Sequence, residues 1–514
     1  MLTTESAELG QLNKTFTSLN KYLRSPFVWI ALIYILSANG HLEVIDTEYS
    51  VRTAKAIIEN GSMRIKPVDP EFVKFSVNPT EEGFIYSQYG LGLPVLFIPF
   101  VTLGKLLSSI IDKPEDIVIS FLLSFYNIPF ALLGLWFIKG ILLKLSRNTQ
   151  QANATVTIIA VATAYWPYTV TDFSEVTQLT FLLGALFSIL LKEVKKWRLF
   201  SFWFALLASM KLAYLIFLPL FLAYALYETR KNSADRFKVI LNGATFLLPM
   251  GIILGYANYV RFGSIFEAGY GANPGIGFGI NYFIRTALPS IFSLEYGIIP
   301  FNPVLLTVPL WLRVLKVNKS FTILCITLIA TWFCLMCSYS YGWGWGWGQR
   351  YIFVIIPLSV ICLAFAKHSN SNNLITASLS LIIAVSCLIQ LIATSTKFHE
   401  PLTIQLETED RFKGPYRAQL PATILLFSHK LIDGSAKYPL SIIGGEKDEY
   451  VDLSEYESFR GFNFWSVHAL KIFNLQEYER ILGIFMLSII FFIQFRLMSI
   501  QLPNLYSCKK SNED

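Results

Sequence analysis

Apolar residues fall in long runs along this chain, from residue 25 to about residue 500, with short polar breaks between them. A membrane span needs about 20 mostly apolar residues, and a kinked or half-span fewer. The pattern predicts twelve such segments: 25–39, 116–143, 153–170, 176–191, 198–209, 212–227, 238–256, 297–312, 320–338, 351–366, 374–393 and 480–499. The fold class that follows is an all-α polytopic membrane protein, a bundle of about twelve transmembrane helices. Its long first outer loop carries amphipathic surface helices.

Lys and Arg sort the connections. Lys14, Lys21 and Arg24 precede the first segment, and Lys144 and Arg147 follow the second. Lys192, Lys195, Lys196 and Arg198 follow the fourth, and Arg230, Lys231, Arg236 and Lys238 the sixth. Arg313, Lys316 and Lys319 follow the eighth, Lys367 the tenth, and Lys509 and Lys510 the last. With both termini cytoplasmic, every cluster falls on the inner face, as basic loops do. The apolar stretch 90–112 breaks this parity if it crosses, so it is expected to be re-entrant or interfacial. Segments 198–209 and 212–227 are short and meet at Met210-Lys211, as two half-helices near the outer surface would.

The expected organisation is a cytoplasmic segment 1–24 and a transmembrane domain 25–393, whose outer loop 40–115 carries the candidate site. An extracytoplasmic segment 394–479 follows, then a last span and cytoplasmic tail, 480–514. Residues 257–296 read as an outer loop, with its glycine-rich part GYGANPGIGFG flexible. No small-residue cleavage site follows the first apolar run, so the N-terminus does not read as a cleaved signal.

Composition changes the picture only by exclusion. Of 514 residues 54% are hydrophobic and 15% charged, against about 25% charged in soluble domains. A soluble enzyme, a disordered scaffold and a nucleic-acid binder are poor readings. The net charge of +7 needs no acidic partner, because cytoplasmic loops collect Lys and Arg. No phosphate cradle for ATP or NAD(P) occurs in the inner loops. The five histidines show no zinc spacing, and the six cysteines suggest no disulfide framework.

Side chains with chemical potential collect on the predicted outer face. Around IDTEYSVRTAKAIIEN, Val51, Ala54 and Ile58 share one helical face and Glu48, Arg52, Lys55 and Glu59 the other, as in a helix lying on a membrane surface. Asp46 at its start reads either as a general base at the membrane boundary or as an N-cap. Asp172 and Glu175, three apart before an apolar run, read either as a capping box or as a second acidic group converging on Asp46. In GWGWGWGQRYIF, Trp343, Trp345 and Trp347 alternate with glycines before Arg350. They read either as an interfacial belt or as a lining for sugar or prenyl chain, with Arg350 clamping a phosphate. Lys211 is an intramembrane-edge cation that is functional or snorkels to the interface. Arg261 and Arg285 bracket a glycine-rich segment, GYGANPGIGFG, that lacks the strand and helix of a nucleotide site.

The order of these elements resembles that of the GT-C glycosyltransferases, multipass enzymes using polyprenyl-phosphate sugars. It is most similar to bacterial relatives of dolichyl-phosphate-mannose–protein mannosyltransferases and aminoarabinose transferases. The resemblance is carried by IDTEYSVRTAKAIIENGSM, YSQYGLGLPVLFIPF, DFSEV, KLAYLIFLPLFLAYAL, RFGSIFEAGY with FSLEYGIIPFNPVLL, WGWGWGQRYIFVIIPL and FNFW, in order over most of residues 25–500. It implies an inverting transferase that moves a sugar from a polyprenyl-phosphate donor to an acceptor hydroxyl on a glycan, lipid or protein. Asp46 would be the base, with Glu48 as the fallback, and Glu175 with Asp172 the second acidic loop. Lys211, Arg350 and, less directly, Arg52 would meet the donor phosphate, and Trp343, Trp345 and Trp347 the lipid or sugar. A divalent cation is compatible with these acids but not required by them. The resemblance places the protein in a bacterial plasma membrane, its site facing the periplasm, with no nucleic-acid partner.

The chain departs from the family pattern at three places. Asp46-Thr47-Glu48 stands for the usual Asp-Glu pair, Gly-Leu-Gly-Leu-Pro for a proline pair, and Lys211 for an arginine or lysine before proline. A transporter or flippase of lipid-linked saccharides would use the same residues without a chemical step, though no internal repeat favours it. A non-catalytic assembly protein would need the acids only as caps.

Overall fold

The structure is a computed structural model and describes residues 25–66, 76–77, 83–145, 147–192, 196–230, 233–267, 269, 277–340, 344, 346–366, 373–397, 400, 418–432, 437–439, 450–452, 461–472 and 475–506. Helices dominate it. Six are long and apolar enough to cross a membrane: Gly92–Ile111, Glu115–Lys144, Arg236–Phe262, Lys319–Cys337, Leu374–Ser395 and Glu479–Leu505. Shorter apolar helices run over Pro26–Ser37, Glu175–Ile189, Leu212–Glu228, Pro303–Val314 and Ile355–Phe365. The chain is thus an all-α integral membrane protein, and its apolar runs divide more finely than twelve uniform spans.

The divisions have local causes. The run 153–170 breaks at Thr163, whose backbone is extended; the Thr163 hydroxyl donates to the Ile159 carbonyl and accepts from the Tyr165 amide. Asn302 accepts the freed Ala164 amide at 2.6 Å, so the break leaves no orphan donor. Pro303 and Pro309 hold 303–310 in 3-10 turns between two short helical pieces. Pro219 opens the Leu218–Glu228 helix, where its fixed φ is already helical.

At the centre, Glu175–Ile189 is buried along nearly its whole length and packs between Asn127–Lys144 and Lys196–Met210. Helix Thr149–Ala162 packs between Glu479–Leu505 and Asn373–Ser395. A helix apolar on every side belongs in such a position.

Residues 90–112 form a continuous helix from Gly92 to Ile111 despite Pro99. The first loop also holds a small antiparallel sheet in which Ile85–Ser87 lies between Arg64–Ile65 and Ser76–Val77. Strands of two or three residues leave no periodic trace in the sequence. The loop reading of 257–296 is corrected over Ile280–Phe292, a 13-residue helix. It is held by a bond from the Thr286 hydroxyl to the Cys337 carbonyl at 2.6 Å and by a bridge between Phe278 and Tyr339.

Within 394–479, helix Gln419–Ile432 and helix Trp465–Ile472 pack onto the bundle. The Trp465 amide donates to the Ala38 carbonyl at 2.7 Å and its indole to the Ile35 carbonyl at 2.9 Å. Gly40 makes this closeness feasible: it sits at φ +78°, and a Cβ there would lie 2.7 Å from that of Trp465.

Candidate active site

Asp46 lies in the first turn of helix Ile45–Asn60, and the N-cap is Val44, with no side-chain cap. Asp46 is therefore not the cap. Val51 and Ala54 are buried as expected, but Ile58 is exposed. The charged face is engaged within the protein: Arg52 pairs with Glu48 at 2.7 Å, Lys55 with Glu115 at 2.9 Å and with Asp116, and Lys105 with Glu59. Burial pulls the Lys55 ammonium down, and the Asp116 and Glu115 carboxylates more than restore it, so its pKa is raised. The helix packs against Gly92–Ile111.

Asp172 and Glu175 do not form a capping box. Ser174 holds the N-cap position of the Glu175–Ile189 helix without a side-chain cap. Asp172 turns instead to the first loop: its two carboxylate oxygens accept the amides of Glu43 at 3.0 Å and Val44 at 3.1 Å. Thr47 donates to its carbonyl at 2.7 Å. Asp172 thus ties down the backbone at the start of the helix bearing Asp46, a place where amide groups lack intrahelical partners. Burial, together with the nearby Glu43 carboxylate, pushes its own carboxyl up to about 7. Beyond it Glu43 is joined by His41 at 3.1 Å and Asn463 at 3.0 Å, and His468 meets Asn463 at 3.1 Å.

Arg350 brings the acids together. Its Nε donates to Glu175 Oε1 at 2.8 Å and one of its Nη groups to Asp46 Oδ2. The guanidinium lies 4.5 Å over the Phe173 ring, and its side chain is buried with that of Glu175, whereas Asp46 stays 28% exposed. Glu175 Oε2 is buried without a hydrogen-bond partner among the described residues. The pair of acids and the arginine come from three distant parts of the sequence, as the functional reading of Asp46 and Glu175 requires.

Lys211 sits at an extended residue between helix Lys196–Met210 and the 3-10 turn that follows. Its Nζ lies 4.9 Å over the Tyr351 ring, and among the described residues it pairs with no carboxylate. Burial lowers its ammonium; Glu175 and Asp46 oppose that pull and Arg350 adds to it. The break is cradled by the first loop. A Cβ on Gly90 would come within 2.0 Å of the Met210 carbonyl oxygen, and one on Gly92 within 2.5 Å of the Ser209 hydroxyl. Gly-Leu-Gly-Leu-Pro thus allows backbone-to-backbone contact that a side chain would block.

The remaining candidates divide. Trp347 packs inward: its ring meets Phe301 edge-on at 4.7 Å and its indole donates to Gln390. It is 4% exposed, which makes it a core residue rather than part of a lipid belt. Trp343 and Trp345 lie outside the described residues. Arg52 is engaged by Glu48 and half-exposed. Arg261 ties the Ser233–Phe262 helix to the first loop through the Ser87 and Tyr89 carbonyls, and Arg285 is on the exposed side of its helix. Glu43 and Tyr351 were not singled out by sequence. Tyr351, the neighbour of Arg350 and seat of Lys211, had adjacency as its one signal. Among the described residues no three His, Cys, Asp or Glu side chains form a set that holds a metal. Asp46 and Glu175 converge on a guanidinium.

Two carboxylates with oxygens unengaged among the described residues, a buried guanidinium and an ammonium that pairs with none of the described carboxylates can accept a proton and stabilise an anion in one place. No protein-family model and no curated protein matches the sequence. The structure is similar to a crystal structure of ArnT from Cupriavidus metallidurans bound to undecaprenyl phosphate. That match has a TM-score of 0.50 and 12% identity over 93% of this chain and 77% of that one. ArnT in the apo state from the same organism matches with a TM-score of 0.48, at 12% identity over 96% of this chain and 77% of that one. An Archaeoglobus fulgidus oligosaccharyltransferase matches with a TM-score of 0.46, at 11% identity over 75% and 58%.

Proposed function

Since the chain shares the GT-C fold of ArnT, we propose that it is a membrane glycosyltransferase moving a sugar from a polyprenyl-phosphate donor to an acceptor hydroxyl on the extracytoplasmic face. The observation that carries this reading is the convergence of Asp46, Glu175 and Arg350 beside an ammonium, Lys211, that among the described residues has no carboxylate of its own. Arg350 is already held by two acids, so Lys211 is the cation left for a phosphate. In the transfer, Asp46 takes the acceptor's hydroxyl proton and the freed oxygen forms a bond to the sugar's anomeric carbon. The bond from that carbon to the phosphate oxygen breaks, and the polyprenyl phosphate leaves with the electron pair. Attack opposite the leaving group inverts the anomeric centre. Phosphate is a good leaving group, so charge stabilisation by Lys211 and orientation by Arg350 and Glu175 supply what the protein adds.

The test is transfer by the purified protein from a radiolabelled polyprenyl-phosphate sugar, run beside proteoliposomes that score movement of the donor across the bilayer. Transfer to an added acceptor supports the enzyme. Movement without transfer sinks it in favour of a flippase, and neither activity in a protein that still binds undecaprenyl phosphate points to an assembly role.

A further inference from the structure

Residues 346–349 have no regular structure, yet they aim the arginine on which both acids converge. Backbone polar groups in such a segment must find partners elsewhere, and here side chains supply them. Gln419 spans the turn: its Nε2 donates to the Gly346 carbonyl at 2.8 Å, and its Oε1 accepts the Gly348 amide at 3.0 Å. Between those two bonds, the Tyr168 hydroxyl donates to the Trp347 carbonyl at 3.1 Å. Gly348 is in the left-handed region at φ +65°, which glycine adopts without steric cost. Gly346 lies directly under Arg350, since a Cβ on it would be 3.1 Å from that of Arg350. A shift of Gly346 therefore moves the guanidinium.

Gln419 is itself fixed. It is buried, at the start of helix Gln419–Ile432. The next residue's amide donates to the Leu294 carbonyl at 3.1 Å, and at the far end Lys430 pairs with the fully buried Glu400 at 2.6 Å. We infer that Gln419 is a positioning residue for Arg350, and that the late segment of the chain thereby sets the geometry of the site. The turnover part of this inference rests on the proposed transferase reading; the geometric part does not.

The experiment labels the arginine side chains with 15N, assigns the Arg350 Nε–H resonance by its loss in Arg350→Lys, and follows it in Gln419→Leu, with turnover and detergent melting measured in parallel. The expected result is a displaced or broadened Arg350 resonance in a folded variant. Turnover should fall about tenfold to a hundredfold, as small misplacements of catalytic groups produce, with the larger part in kcat rather than in donor KM. Gln419→Glu gives a second readout. Its carboxylate keeps the acceptor for the Gly348 amide but lacks the donor for Gly346. Turnover relative to wild type should fall as pH rises through the titration of that carboxyl and recover as it is protonated. An unshifted Arg350 resonance together with unchanged turnover in either folded variant overturns the inference. If Gln419→Leu does not fold, Gln419→Glu decides alone. If the wild type transfers no sugar, the transferase reading fails, and the resonance still decides whether Gln419 positions Arg350.

Discussion

Arg350 donates its Nε–H to Glu175 at 2.8 Å from 175 positions further along the chain, and the carboxylate it meets has its second oxygen buried without a partner among the described residues. Removing one side of a buried ion pair leaves the other charge uncompensated, which costs about 3–5 kcal/mol. Arg350→Ala leaves Asp46 and Glu175 facing each other and should lower the detergent melting temperature sharply. Arg350→Lys keeps the charge but reaches one carboxylate rather than two, so it should melt between wild type and Arg350→Ala while losing most turnover. Equal melting of Arg350→Lys and wild type would show that the bridging geometry contributes nothing.

Asp46→Asn removes the proposed base at a residue that caps nothing. Turnover should fall by about 10²–10⁴-fold, while melting changes little because Asp46 is partly exposed. Glu175→Gln keeps an acceptor for the Arg350 Nε–H and removes the buried charge; a smaller turnover loss is expected. Should Asp46→Asn turn over normally, Glu48 becomes the next base to replace.

Lys211→Met keeps the length of the side chain and removes a charge that has no carboxylate partner among the described residues. Binding of undecaprenyl phosphate, measured by tryptophan fluorescence titration, should weaken about tenfold to a hundredfold. That corresponds to about 1.5–3 kcal/mol for a hydrogen bond to a charged group. Melting should hold or rise. Unaltered lipid affinity would remove Lys211 from the phosphate site.

Asp172 titrates near 7 in the folded protein, above its ordinary value near 4. Between those limits the folded state holds more protons than the unfolded one, so stability falls as pH rises. The contribution is fully present below about pH 4 and lost through about pH 7, at most about 4 kcal/mol. Asp172→Asn has no such titration. The melting temperature of wild type minus that of Asp172→Asn should therefore decrease from pH 5 to pH 8; a constant difference would contradict the assignment.

Gly90→Ala puts a methyl within 2.0 Å of the Met210 carbonyl oxygen. Overpacking of this kind typically costs about 1–3 kcal/mol. The displaced residue is the immediate neighbour of Lys211, so lipid affinity should fall along with melting. Gly61→Ala, where no atom lies within 4 Å but φ is +61°, controls for backbone strain alone.

The membrane class and the residues of the site were legible because both leave local marks: apolar runs, and acids or cations at their ends. The joining of those residues was not. Asp46 and Arg350 are 304 positions apart, and no spacing rule connects them. Asp172 shows the limit most clearly. Its spacing from Glu175 matches a capping box, but the amides it serves belong to Glu43 and Val44, and only tertiary contact reveals that choice. Trp347 read either as an interfacial belt or as a lining for sugar or prenyl chain, because alternating glycines and indoles carry no information about which side is packed; Phe301 and Gln390 hold it in the core. The helix over Ile280–Phe292 lay hidden beside a glycine-rich stretch that dominated the local composition.

The contact of Trp465 with the carbonyls of Ile35 and Ala38 carries a consequence for synthesis. Its indole finds Ile35 across 430 residues, so the first loop leaves the ribosome long before the segment that braces it. At about 5–20 residues per second, that interval is on the order of 20–90 s. During this time the helix carrying Asp46 waits without Trp465, and without Arg350 for most of it. A ribosome stalled before residue 461 would hold the helix carrying Asp46 without the bonds that Trp465 makes to the Ala38 and Ile35 carbonyls.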